Sequence, residues 1–277
     1  MGFVLFVVCF ILFLSDLSHA LVNLPVVAQW RMRRGMGGFF QSGLAVSRAR
    51  RAPFGEAALV HHRDSAEERV FAARISDGKH ALWDVGVLRH PVSRDAGVVV
   101  HSYRRDELKP ADVDELFALT KRNMKEMYER SSWGWSDVDK RLAFDSPPSR
   151  FLIATVHGRL VAFAHYQFEV LEDERTQVPF ASLYVLELQV ENDFQRRGIG
   201  RLLLDLLCSN ASGNGRTRRG EETSLTCRPP AMKMDSVMLC VFRYNTNALA
   251  FYKNSGFNPD TSSDYNQVLV DDFQLLC

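Results

Sequence analysis

One segment of this chain changes its period in mid-course, and that change constrains the fold more than any other feature. From Tyr184 to Val190 apolar residues alternate at a spacing of two, as on a strand. From Gly198 to Ser209 the leucines Leu202, Leu203, Leu206 and Leu207 recur at helical spacing. Between the two runs lies a basic, glycine-punctuated turn, Gln195-Arg196-Arg197-Gly198-Ile199-Gly200. A strand that passes through such a turn into an amphipathic helix is a building unit of layered α/β domains. The helix start aims its unpaired amides and the positive end of its dipole outward, and Arg196, Arg197 and Arg201 add charge suited to phosphates. No Gly-Lys-Ser/Thr follows, which excludes a Walker loop, and the third glycine of a dinucleotide fingerprint is missing.

Strict alternation puts Tyr184, Leu186, Leu188 and Val190 on one face of the strand, and Val185, Glu187 and Gln189 on the other. A carboxylate in the middle of an apolar strand is costly unless it is solvated or used. Glu187 is therefore a candidate general base. An ordinary glutamate at a splayed or edge position fits that strand equally well.

The rest of the pattern predicts one mixed α/β domain over 95–277, in the order β-α-α-β-β-β-α-β-α-β. Gly97–Tyr103 reads as the first strand. Pro110 opens a helix with a stripe of Val113, Leu116, Phe117, Thr120, Met124 and Met127. Ser136 and Asp139 form a capping pair for a second helix that Pro147-Pro148 ends. Phe151–Val156 and Leu160–Val170 flank a hairpin loop at His157-Gly158-Arg159, and Ala181–Glu191 is the third strand of that run. Val237–Phe242 is a buried strand, Asn247–Lys253 a helix, and Gln267–Val270 a last strand. Residues 211–231, rich in Gly, Arg, Thr and Pro, read as a flexible insertion.

Residues 1–80 show no sustained period and read as a weakly ordered extension. Within them, Phe3–Leu14 is an apolar run that ends in Leu17-Ser18-His19-Ala20, similar to a signal h-region without its basic flank and too short for a clear membrane span. Trp30–Ala52 carries six arginines and no acid, as a transit segment does. A leader unrelated to targeting fits both stretches equally well. The net charge of +1 gives no global attraction to nucleic acid or anionic lipid. Five scattered cysteines lack metal-ligand spacing and argue against a disulfide framework or zinc site.

Downstream, Asn245-Thr246-Asn247 precedes Phe251-Tyr252 and a Gly256-Phe257 stop. A Tyr252 hydroxyl in that place suits protonation of a leaving thiolate; simple core packing by Phe251 and Tyr252 is the competing reading. With the Glu187 strand, the Gln195–Gly200 turn and this element in order, the chain resembles the GNAT superfamily of acetyl-CoA-dependent N-acetyltransferases. Its pyrophosphate motif, Gln/Arg-x-x-Gly-x-Gly/Ala, is matched by Gln195 to Gly200. Leu119–Tyr128, Glu129–Trp135 and Val237–Asn245 add a closer resemblance over roughly residues 95–270. It is to the NatD type of N-alpha-acetyltransferase, which acetylates the amino-terminal serine of histones H4 and 2A.

The resemblance implies the following roles. Glu187 would be the base and Tyr252 the acid. Leu188, Gln189 and Val190 would hold the pantetheine arm through their backbone, and Arg196, Arg197, Gly198, Ile199, Gly200 and Arg201 the pyrophosphate, with Asn245 a further cofactor contact. Tyr128, Trp133, Glu169, Leu186, Cys240 and Tyr265 would line the peptide site. Acetyl-CoA would be the cosubstrate, with no metal, and the partners would be histone tails met by a monomer in nucleus and cytoplasm, without direct nucleic-acid or stable membrane binding. The apolar leader argues instead for an organelle or the secretory pathway. Leu186 stands where the better-known members carry Tyr, Cys240 where they carry Thr and Glu169 where they carry Asp, which bears on histone selectivity. A broader amine acetyltransferase and a non-catalytic acetyl-CoA- or histone-binding module are the alternatives.

Overall fold

The computed structural model describes residues 56–75, 97–173, 175–212, 233–259 and 273–277, all within one compact unit, Pro53–Cys277. Six strands form one sheet in chain order: β1 (Val99–Arg104), β2 (Arg150–Val156), β3 (Arg159–Glu172), β4 (Pro179–Val190), β5 (Ser236–Phe242) and β6 (Phe273–Leu276). The first four run as an antiparallel meander, β4 and β5 are parallel, and β6 returns antiparallel to β5. The β2–β3 hairpin turns on His157 and Gly158, both at positive φ (50° and 76°). That is the backbone that a two-residue turn between right-twisted strands requires.

Among the described residues the helices are α1 (Glu56–Ile75), α2 (Pro110–Glu129), α3 (Asp137–Asp145), α4 (Ile199–Ser212) and α5 (Thr246–Asn254). Alternation along β2 separates two cores. Phe151 joins Val113, Leu116, Phe117, Leu119, Phe144 and Phe163 under α2 and α3. Leu152 and Ala154 join the larger core with Ala66, Val70, Leu203, Leu207 and Tyr252, from α1, α4 and α5. Ser136 caps α3, its hydroxyl accepting from the Asp139 amide at 3.2 Å.

Three expectations change, and one strand falls outside the described residues. The ordered unit begins well before residue 95: α1, inside the stretch read as weakly ordered, buries Ala66, Val70 and Ala73 against β3 and β4. The last described strand is Phe273–Leu276; Gln267–Val270 lies outside the described residues. Ala211 and Ser212 belong to α4, and the remainder of the predicted insertion, 213–231, also lies outside them.

The third change concerns β4. His165 pairs with Glu187 but Tyr166 pairs with Val185, so Leu186 is an extra residue, a β-bulge. The bulge reverses the alternation. Val185, Leu188 and Val190 face the α1/α4 core, and Tyr184 shares a side with Glu187 and Gln189 rather than with Leu188 and Val190.

Candidate active site

Two local features of β4 open a cleft. β5 pairs with it only over Ser182–Val185, so from the bulge to Val190 the strand has β3 as its single described neighbour. At the end of this free edge a short 3-10 turn, Asn192–Phe194, leads into Arg196 at φ 61°, Gly198 at φ 83° and the start of α4. Positive-φ residues next to a helix N-terminus turn successive amides to one side, and the helix dipole adds positive potential there. Arg196, Arg197 and Gly198 are exposed on this turn. Arg197 lies over the Phe194 ring at 5.1 Å. The described residues hold no group of three or more His, Cys, Asp or Glu placed for a metal.

Glu187 stands at the head of the cleft, 6% exposed. Its Oε1 accepts from Lys140 Nζ at 2.7 Å and its Oε2 from Gln189 Nε2 at 2.8 Å. Gln189 in turn accepts from Asn123 Nδ2 at 3.1 Å, which also donates to the Val190 carbonyl at 3.2 Å. Lys140 donates as well to the Tyr128 hydroxyl at 3.0 Å. Burial alone would lower the Lys140 pKa, but the Glu187 carboxylate and Tyr128 outweigh it and hold the ammonium above its ordinary range. Burial raises the Tyr128 hydroxyl, with Lys140 opposing.

An aromatic wall closes one side. Tyr128 meets Phe242 edge-on at 5.0 Å and Trp135 at 5.5 Å, and Trp133 packs on Tyr128 at 6.1 Å and on Phe242 at 5.8 Å. Tyr184 is buried beside Cys240 and feels Glu169 and Tyr128; burial first, then Cys240, raises its hydroxyl pKa. Glu169 is buried on β3 opposite Ser182. Tyr252, buried on α5, has its hydroxyl raised by burial and by the Glu187 charge. It is thus a phenol that keeps its proton, within electrostatic reach of the carboxylate.

The structure brings together Glu187, Gln189, Tyr128, Trp133 and Cys240, whereas Tyr252 packs in the α1/α4 core, linked to Glu187 by electrostatics. Leu186, as the bulge residue, borders them half-buried. Leu188 and Val190 pack their side chains on the α1/α4 core, which leaves only their backbone for the cleft. Ile199 is buried in the same core. Gly200 sits where an added Cβ would meet Val190 and the Phe251 ring at 3.6 Å, ordinary contact distance. Arg201 is engaged elsewhere, donating to Asp205 at 2.9 Å and to the Asn254 carbonyl at 3.3 Å, and so ties α4 to α5. Asn245 is the N-cap of α5, accepting from the Ala248 amide at 3.2 Å. Tyr265 lies outside the described residues.

Residue patterns alone missed Lys140, Asn123 and Tyr184. Two of them left a signal: Lys140 lies one turn before the buried Phe144, and Asn123 one turn after Thr120 on the buried stripe of α2.

Residues 147–259 match the family model described as Acetyltransferase (GNAT) domain, and the mixed sheet with flanking helices is the α/β fold expected from the sequence. Similar solved structures share little sequence. Arabidopsis thaliana Naa50 in complex with the bisubstrate analogue CoA-Ac-MVNAL is 16% identical, over 64% of this chain and 96% of that one, at a TM-score of 0.38. Arabidopsis thaliana NAA60 with a bisubstrate analogue is 15% identical, over 64% and 97%, at 0.42. The Escherichia coli ribosomal-protein-S18-alanine N-acetyltransferase is 20% identical, over 64% and 90%, at 0.38.

Proposed function

We propose that this GNAT acetyltransferase domain transfers the acetyl group of acetyl-CoA to the α-amine of a protein amino terminus, the preferred substrates being the Ser-Gly-Arg-Gly starts of histones H4 and 2A. One observation carries the reading: a buried carboxylate, Glu187, heads a strand edge left open by β5 and followed directly by the exposed basic turn into α4. The turn residues Arg196 and Arg197, with the amides of Gly198 to Arg201, would hold the pyrophosphate. The open backbone of Leu188–Val190 would align the pantetheine arm, and the thioester would then lie beside Glu187.

The proposed chemistry needs one base and one acid. A peptide α-amine has a pKa of about 8, so at about pH 7 a single base suffices to free its lone pair. Glu187, oriented by Gln189, takes the proton; the amine attacks the thioester carbonyl, whose developing charge is met by strand amides. The C–S bond then breaks, Tyr252 would protonate the CoA thiolate, and the nitrogen would lose its second proton to the Tyr252 oxygen through solvent. Tyr128, Trp133 and Phe242 wall the peptide side. Resemblance to the NatD type supports the histone preference. Leu186 and Cys240 are the positions where a wider substrate range would enter.

Acetyl-CoA and a peptide beginning Ser-Gly-Arg-Gly are expected to give one acetyl on the α-amine, located by fragmentation mass spectrometry. Modification only of internal lysines would sink the reading, and a peptide library would then define the amines accepted. Acetyl-CoA binding with no turnover on any peptide would favour a binding module. We place the protein in nucleus and cytoplasm on the same resemblance. A carboxyl-terminal fluorescent fusion, with and without residues 1–52, tests this, and an organellar or secretory signal that depends on those residues would overturn it.

A further inference from the structure

The amine end of the cleft already holds an ammonium group. Lys140 Nζ lies 2.7 Å from Glu187 Oε1 and 3.0 Å from the Tyr128 hydroxyl. It is 4.5 Å from the centre of the Tyr128 ring and 5.9 Å from that of Trp135. A carboxylate bordered by aromatic faces is the environment a primary ammonium seeks. The terminal ammonium of a peptide offers the same charge and the same three donors. Both Glu187 oxygens already accept a hydrogen bond, one from Lys140 and one from Gln189. Of the two donors, Gln189 is fixed on the same strand and braced by Asn123. Lys140 reaches in on a flexible four-carbon stem from a nine-residue helix whose other side is open, with Val138 and Leu142 exposed, and its own side chain is 16% exposed. Of the groups holding the base, the lysine is the one that can leave.

We propose that Lys140 is a built-in competitor for the amine subsite: its ammonium stands where the substrate's ammonium must stand, and a substrate enters by displacing it from Glu187. This rests on the reading of the cleft as the site of amine acetylation. It adds a selection rule. A bare amine exchanges one ammonium for another and gains nothing, so turnover favours substrates whose following residues supply binding along the aromatic wall. Lys140 is thus a specificity-determining residue that acts through Glu187.

Replacing Lys140 with Met removes the charge and keeps the stem, and Lys140→Arg keeps a cation. With the Ser-Gly-Arg-Gly peptide, Lys140→Met is expected to lower the peptide KM about tenfold, equivalent to about 1.4 kcal/mol. The KM for acetyl-CoA stays where it was, and Lys140→Arg stays near the parent. A peptide KM that is unchanged or raised in Lys140→Met overturns the proposal and leaves Lys140 as a structural partner of Glu187. Should the parent protein not acetylate this peptide, the substrate assignment fails while the competitor remains testable with methylammonium as the probe. Tryptophan fluorescence, with Trp135 beside the subsite, should then respond saturably in Lys140→Met and not in the parent. An equal response in both, or none in the variant, overturns it.

Discussion

His165 is neutral by construction. It is 1% exposed, stacked on Phe151 at 4.7 Å and on Phe144 at 5.1 Å, with Nε2 2.8 Å from the Ser149 hydroxyl. Burial, aided by the nearby Lys140 charge, lowers its pKa to about 3. The unfolded chain protonates the same ring near about pH 6.5. Between those values the unfolded state binds the extra proton. Stability is therefore full above about pH 6.5 and falls with acidification, by at most about 1.4 kcal/mol per unit from this residue. Denaturant midpoints measured from pH 7.5 to 5 should fall, and His165→Gln should flatten that slope; an equal slope in both proteins would falsify the assignment. Glu187 makes a second residue-scale prediction. Glu187→Gln should cut kcat by about 10²–10⁴ at retained acetyl-CoA affinity. It should also destabilise the fold by about 3–5 kcal/mol, because Lys140 is left buried with no counter-charge. Adding Lys140→Met should restore much of the stability and none of the activity.

Among the elements, the turn into α4 separates two glycines that look alike in the sequence. Gly198 sits at φ 83°, where a side chain is strained, and Gly200 does not. Gly198→Ala should therefore cost about 1–2 kcal/mol, whereas Gly200→Ala should be neutral or stabilising, since alanine favours the helix by up to about 1 kcal/mol. Urea denaturation of the two variants checks the contrast. Most of the described strands and four of the five described helices were legible because each buries one face, and a half-buried face writes its period into the sequence. Helix α1 was not: Val60, Phe71 and Ile75 are exposed and its buried stripe is largely alanine, so no period stands out. What it did offer was 20 residues free of Gly and Pro. Of the candidate site, the sequence pointed to Glu187, the basic turn and Tyr128, and it did not point to Tyr184. Lys140 was not, because a lysine on a short helix looks like surface until its partner on a distant strand is placed.

Taken whole, the molecule depends on α1 as part of the domain rather than as an appendage. Arg69 grips Asp235 through two hydrogen bonds of 2.7 Å, and Asp235 also accepts from the Ala181 amide at 2.9 Å, where β4 and β5 begin their parallel pairing. Burial would raise the Asp235 pKa, but the Arg69 contact and that amide outweigh it and hold the carboxyl low. The stabilisation it gives is present above about pH 4, the unfolded value, and lost as the pH falls through its lower folded value. Arg69→Ala should cost about 0.5–1 kcal/mol, as the pair is partly exposed. Removing residues 1–75 should cost far more, uncovering the face of β3 and β4 that holds Phe168 and Leu183, seen as lost hydrogen-exchange protection in those strands. The bulge at Leu186 has a consequence of another kind. Because side chains along a strand are counted in twos, leaving this one residue out of the ladder decides which half of the molecule receives the carboxylate. Its identity is free to drift and retune what the cleft accepts; its place outside the ladder is not. Were Leu186 taken into the regular ladder, Glu187 would turn with Val185 to the oily side of the sheet, an arithmetic error that no substitution elsewhere in the cleft could correct.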